Sequence, residues 1–240
     1  MALSFFTNRG DNETLTLLVD IGSASVGGAL VRFEKGKAPH VLATVREDIS
    51  FQDVLSSARF LVAMNHALDQ VSKALQQKIK SGQKKAFTNG HIFCTLSSPW
   101  FLLKSRHVQI IREQEFKITE RALEEFINED INHLKEELKE TLPPKDVRII
   151  EKKIVQMRLN GYEIKNPYNQ KTSRMEISMT VGISSGKVID SIERRLRNFF
   201  HAKTIHFGAF PVAAFSAIRD IFPNERNFLI IDIAKIAVCV

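Results

Sequence analysis

The sequence predicts an α/β fold carrying an α+β insertion, and three observations predict it. Strand-like apolar runs and a helical stripe alternate over the first hundred residues or so. A strand-helix-strand-strand order then occupies the middle of the chain. Finally, the run Phe228 to Val240 repeats the layout of the opening, LIIDIAKIAV set against LLVDIGSASV.

The elements follow in order. Leu15, Leu17, Leu18 and Val19 read as a buried strand running into Asp20. The small residues Gly22-Ser23-Ala24-Ser25 make a turn, and Val26 to Phe33 folds back as the hairpin partner. Val41 to Val45 reads as a third strand. From about Asp53 the pattern turns helical: Leu61, Leu68 and Leu75 sit seven apart, with Ala58, Val62 and Val71 on the same face. That helix stops near Ile79, before Ser81-Gly82. His91 to Leu96 is a short strand, closed by Ser97-Ser98-Pro99.

Arg106 to Ile111 alternates as a strand does, and Thr119 is a good N-cap for a helix to about Lys139. Leu123, Ile127, Ile131, Leu134 and Leu138 form its buried stripe, with glutamates over the rest. Pro143-Pro144 breaks the chain. Two long strands follow, Val147 to Leu159 and Met175 to Ser184, joined by a polar connection with turn signals at Asn160-Gly161 and Asn166-Pro167. After Gly186 a helix buries Val188, Ile189, Ile192, Leu196, Phe199 and Phe200; Thr204 to Phe207 is a strand and Val212 to Ile221 an apolar helix. Phe228 to Val240 reads as a buried strand, an Asp, a turn and the start of another strand. A chain that stops inside an apolar strand reads as the N-terminal portion of a longer protein, and residues 1–13 as a loose polar leader.

Composition narrows the classes. At 240 residues and 44% hydrophobic the chain can bury a real core. It has no apolar run of ~18 residues, and its start, MALSFFTNRGDNE, lacks the basic beginning and apolar core expected of a secretory signal. Cys94 and Cys239, both in apolar runs, make no disulfide framework and fit a reducing cytoplasm. The net charge of +7 invites a nucleic-acid reading. Yet the basic residues form only modest clusters, at Lys78/Lys80/Lys84/Lys85, Lys152/Lys153 and Arg194/Arg195/Arg197, with no nucleic-acid motif, so a solvated surface is favoured.

Chemistry concentrates in the opening hairpin. A carboxylate at a strand end, beside the amides and hydroxyls of a tight turn, suits a phosphate and its magnesium. The alternative is an ordinary tight hairpin with Asp20 at its shoulder. The seven histidines show no metal-ligand spacing, and no Ser-His-Asp or Cys-His set stands out. Cys94 reads as a core residue. Trp100 and Phe101 fit interface packing and junction packing equally.

The order of these elements resembles the bacterial actin-like proteins FtsA and PilM, of the actin, Hsp70 and sugar-kinase superfamily. Asp20-Ile21-Gly22-Ser23-Ala24-Ser25-Val26 is similar to that family's first phosphate loop. Arg148 to Ile183 resembles the closing strands of the FtsA insertion. Phe210-Pro211-Val212-Ala213-Ala214 sits where the family begins a helix, and Glu225-Arg226-Asn227-Phe228 to Asp232 where it enters its second loop.

The resemblance implies an actin-like, ribonuclease H-like first lobe in two parts, 1–103 and 186–224. It also implies an inserted strand-helix-strand-strand subdomain over 104–185 and the start of a second lobe at 225–240. It implies ATP with magnesium as ligand. Asp20, Gly22, Ser23 and Ser25 would line the phosphate side, with Asp20 and Asp232 facing the metal. Asp232 would also face the attacking water, and Lys235 would offer positive charge. Some positions depart from the pattern. FtsA has a lysine where this chain has Ser25, and PilM-type loops often have one where it has Gly27. The second loop, Asp232-Ile233-Ala234-Lys235-Ile236-Ala237, lacks the family's glycines and threonine. At most a weak or degenerate ATPase is expected.

The first function expected is an FtsA-like scaffold of cell division. It would form filaments, have the tubulin-like protein FtsZ and other division proteins as partners, and lie in the cytoplasm at the inner face of the membrane, reached through a segment not in this chain. The second is a PilM-like cytoplasmic adaptor of type IV pilus assembly, binding a short segment of a membrane partner. The third is a basic binding module without nucleotide chemistry, with salt-sensitive affinity for nucleic acid.

Overall fold

The computed structural model describes residues 13–50, 56–79, 90–140, 146–225 and 228–232. The chain divides into two compact units, Met1–Phe101 with Lys187–Val240, and Leu102–Gly186.

In the first unit the strands are β1 (Glu13–Ile21), β2 (Ser25–Glu34), β3 (His40–Asp48), β4 (His91–Leu96) and β9 (Thr204–Ala209). They form one sheet in the order β3-β2-β1-β4-β9. The β1–β2 and β2–β3 pairs are antiparallel, and β4 lies parallel to both β1 and β9. Alternation places Leu17, Val19 and Ile21 of β1 on one face, level with Ile92, Cys94 and Leu96 of β4, all at most 2% exposed. Helix α1 (Ser57–Lys78) packs on that face. A side chain at Gly28 would bring its Cβ to 2.5 Å from Leu75 Cδ1 and 2.8 Å from Val71 Cγ1, so glycine sets how closely α1 approaches the sheet.

Ser56 N-caps α1, its hydroxyl accepting from the Arg59 amide. The stripe that α1 buries is Phe60, Met64, Ala67, Leu68, Val71 and Leu75. Ala58 and Val62, expected on that face, are exposed, and Leu61 is only half-buried. At about 100° per residue Ala58 and Val62 lie about 80° and 120° round the helix from Leu68, off the buried face, and for Leu61 the reason is helical drift. Residues seven apart turn about 20° out of register per heptad on a straight helix, so a face anchored on Leu68 and Leu75 leaves Leu61 behind. Helix α3 (Gly186–Phe200) meets α1 through a polar seam: Ser191 Oγ donates to Asn65 Oδ1 at 3.1 Å, and Arg195 pairs with Asp69.

The second unit is a four-stranded antiparallel sheet, β5 (Leu102–Lys117), β8 (Lys171–Ser185), β6 (Val147–Leu159) and β7 (Tyr162–Glu163), in that order. Helix α2 (Glu120–Glu137) starts at Thr119, whose hydroxyl accepts from the Ala122 amide at 3.1 Å. Its stripe, Leu123, Ile127, Ile131, Leu134 and Leu138, joins Met175, Ile177, Met179, Val181 and Ile183 in one core. Those five β8 residues alternate along the strand, so a single face carries the whole apolar contribution. Asn160-Gly161 makes the β6–β7 turn with φ of 49° and 87°, the left-handed pair that an Asn-Gly sequence favours.

Helix α4 (Phe210–Ile221) follows β9. The strand expected from Phe228 is not formed over 228–232, where Leu229 is 86% and Ile231 73% exposed. An apolar run becomes a strand only where a sheet edge pairs with it, and among the described residues none does. The rest of that expected strand, 233–240, lies outside the described residues.

Candidate functional site

The β1–β2 turn is fixed from several directions. The Gly22 amide donates to the Ser25 carbonyl at 3.0 Å, and a Cβ on Gly22 would lie 3.2 Å from that oxygen, a tight contact that the turn would have to yield to. The Ile49 amide donates to the Ala24 carbonyl (2.7 Å) and the Ser97 amide to the Ile21 carbonyl (2.9 Å). Trp100 closes the arrangement. Its indole N–H donates to the Gly22 carbonyl at 2.7 Å while its ring stacks on Phe60, centroids 4.6 Å apart. Trp100 thus packs inside its own unit, against the hairpin and α1.

Asp20 sits on the sheet face opposite Val19 and Ile21. Its carboxylate meets two neighbours, one from β3 and one from β4. The Arg46 guanidinium donates through Nη2 to Asp20 Oδ2 at 3.2 Å and through Nη1 to Ser25 Oγ at 2.7 Å. The Thr95 hydroxyl lies 3.4 Å from Asp20 Oδ1 and 3.3 Å from the Val19 carbonyl. Behind it, on the α1 face, Cys94 is enclosed, and burial pushes its thiol pKa far up, with the Asp20 charge adding to the effect. A thiol held so firmly neutral is a core residue, not a nucleophile.

The structure therefore gathers Asp20, Gly22, Ser23 and Ser25 in one hairpin, with Ser23 buried. Asp232 is not gathered with them: it is exposed, and among the described residues it makes no hydrogen bond or ion pair with the hairpin. Lys235 lies outside the described residues. Arg46 is the site residue that sequence reasoning missed. Its signal was the strand register, which sets Arg46 directly opposite Gly27.

A magnesium ion at Asp20, as the resemblance implies, does not fit this arrangement. The carboxylate already carries a cation from its own chain. The space left by Gly27, on the same sheet face as Asp20, is filled by Arg46. Among the described residues no group of three His, Cys, Asp or Glu side chains is placed to hold a metal. Several described members of the basic clusters have partners within the chain. Lys78 Nζ donates to the Thr44 carbonyl at 2.8 Å, Lys152 to Asn128 at 3.3 Å, and Arg197 pairs with Glu193 at 2.7 Å.

No protein-family model matches the chain, and no curated protein matches its sequence. Solved structures do. A chain of a PilM–PilN type IV pilus biogenesis complex superposes with a TM-score of 0.50 at 15% identity, over 86% of this chain and 50% of that one. The fold is that of the actin-like proteins. This chain spans half the length of that neighbour. The cytoplasmic domain of EpsL, an inner membrane component of the type II secretion system of Vibrio cholerae, matches at 12% identity and a TM-score of 0.36. That match covers 81% of this chain and 57% of the EpsL domain, too loose a superposition to argue from.

The hairpin of Asp20 to Ser25 joins β1 to β2 within the first unit. The same hairpin is closed by Trp100 and bridged by Arg46.

Proposed function

We propose that this protein is an adaptor of the PilM kind. It is an actin-like body that binds a short cytoplasmic segment of a membrane-embedded partner in pilus or related envelope assembly, at the inner face of the cell membrane. The observation that carries the reading is the superposition over 86% of the chain on a chain of the PilM–PilN complex. Passing from a shared fold to a shared role is an argument by analogy, so the partner has to be tested directly. Of the two actin-like readings of the sequence, this comparison favours the pilus adaptor. The FtsA-type division scaffold, with FtsZ as partner, gains no support from it.

In this reading residues 104–185 are an inserted subdomain presenting part of the binding surface. No described helix is long and apolar enough to cross a membrane, and in this reading the bound partner holds the protein at the membrane. Affinity would come from burying apolar side chains of the bound segment, not from nucleotide turnover.

Co-purification of the tagged protein from cross-linked cells tests the reading. Inner-membrane components of a pilus or secretion system are expected in the eluate. Recovery of the division filament protein in their place would refute the adaptor role.

A further inference from the structure

Gly27 and Arg46 are paired across β2 and β3, and the arginine side chain runs over the glycine instead of away from it. Its Nη2 lies 2.8 Å from where a Gly27 Cβ would be. From that position the guanidinium bridges the Ser25 hydroxyl at 2.7 Å and the Asp20 carboxylate at 3.2 Å, while Thr95 approaches the other carboxylate oxygen at 3.4 Å. We propose that Arg46 is the hairpin's resident cation, taking at Asp20 the place of a divalent metal, so that the hairpin is neutralised without metal or nucleotide. The proposal stands on the hairpin alone and holds whatever partner the chain binds.

Three physical points support it. A hard divalent cation needs several oxygen ligands, with negative charge among them. Here the Asp20 carboxylate already meets the guanidinium at 3.2 Å, Asp48 stands opposite Ser25 on the neighbouring strand, and among the described residues no group of three His, Cys, Asp or Glu is placed to hold a metal. Arginine is a permanent cation, so the charge it places at Asp20 does not depend on a bound ligand. Its planar fork reaches the Ser25 hydroxyl and the Asp20 carboxylate from one side chain. The pair is open to solvent, with side-chain exposures of 59% for Arg46 and 36% for Asp20. It therefore adds little to stability, and its consequence is the charge at the site. The measurement must read metal, not melting.

Trp100 is the chain's one tryptophan, and it is hydrogen-bonded to the turn two residues beyond Asp20. Its fluorescence, quenched by bound Mn²⁺, reports a metal at the hairpin. The complete chain is titrated with Mn²⁺, with and without ATP. The parent is expected to show no saturable quenching. Arg46→Gln should acquire a saturable quench that the double variant Asp20→Asn/Arg46→Gln loses, and Arg46→Lys, which keeps the charge, should stay silent. Circular dichroism confirms that each variant is folded. Saturable quenching of the parent that Asp20→Asn removes would overturn the proposal. So would an Arg46→Gln variant indistinguishable from the parent, or an Arg46→Lys variant that gains the quench.

Discussion

Replacing Arg106 with alanine is expected to destabilise the Leu102–Gly186 unit by about 3–5 kcal/mol, the cost of leaving one partner of a buried ion pair behind. Arg106 projects from β5 onto α2. Its Nε and Nη2 donate to Asp130 Oδ2 and Oδ1 at 2.9 and 2.8 Å, a bidentate fork, and Nη1 reaches both Glu137 oxygens at 3.1 and 2.9 Å. Asp130 decides the magnitude. Its side chain is 13% exposed, so without the guanidinium it becomes an unpaired charge with little access to water. Glu137 is 56% exposed and is solvated with or without a partner. Glu137→Gln alone should therefore cost no more than about 1 kcal/mol. Arg106→Met combined with Asp130→Leu should recover most of the loss of the single alanine variant, because the buried charge is gone. Urea unfolding followed by far-ultraviolet circular dichroism measures all three. Equal losses for Arg106→Ala and Glu137→Gln would contradict this account of the clamp.

The second large effect is expected at Trp100. Trp100→Ala removes a ring that is 6% exposed and stacked on Phe60, and large-to-small changes of this kind cost about 3–5 kcal/mol. Trp100→Phe keeps most of the stack and loses only the bond to the Gly22 carbonyl, so about 1 kcal/mol is expected. The two variants separate packing from turn-holding. Both unfold the chain earlier in denaturant, but only the loss of the indole N–H is shared. Protection of the turn amides against hydrogen exchange should fall in Trp100→Phe as much as in Trp100→Ala. Unchanged protection in Trp100→Phe would show that the hydrogen bond does not hold the turn.

Much of the fold was legible because it rests on local patterns. His91–Leu96 and Val147–Leu159 form strands with the bounds their apolar runs predicted. The α2 stripe has the five residues its spacing predicted, because each lies three or four positions from the next. Legibility failed where long-range pairing decides. Strand β5 runs from Leu102 to Lys117, well beyond the predicted Arg106–Ile111, and β8 begins at Lys171, ahead of the predicted Met175. In both, polar residues extend an antiparallel ladder that alternation in one segment cannot reveal. Phe228–Asp232 failed in the opposite sense: it is apolar enough for a strand, yet over those residues no sheet edge receives it.

The candidate site divides in the same way. Asp20, Gly22 and Ser25 were legible because a strand, a small-residue turn and a strand are contiguous in sequence. Arg46 was not, since its place over Gly27 depends on the β2–β3 register, with a register shift between Leu30 and Val31. Trp100 was seen as a packing residue but not as the donor to Gly22, 78 positions earlier in the chain.

The central claim is that this actin-like body binds a short segment of a membrane partner, and a calorimetric titration tests it most directly. The complete chain is titrated with synthetic peptides spanning the cytoplasmic segments of the inner-membrane pilus or secretion proteins of the same cell. Saturable one-to-one binding of one such peptide, unchanged by ATP and magnesium, is the predicted result. Absence of saturable binding by every peptide, or binding that appears only with ATP and magnesium, would contradict the account.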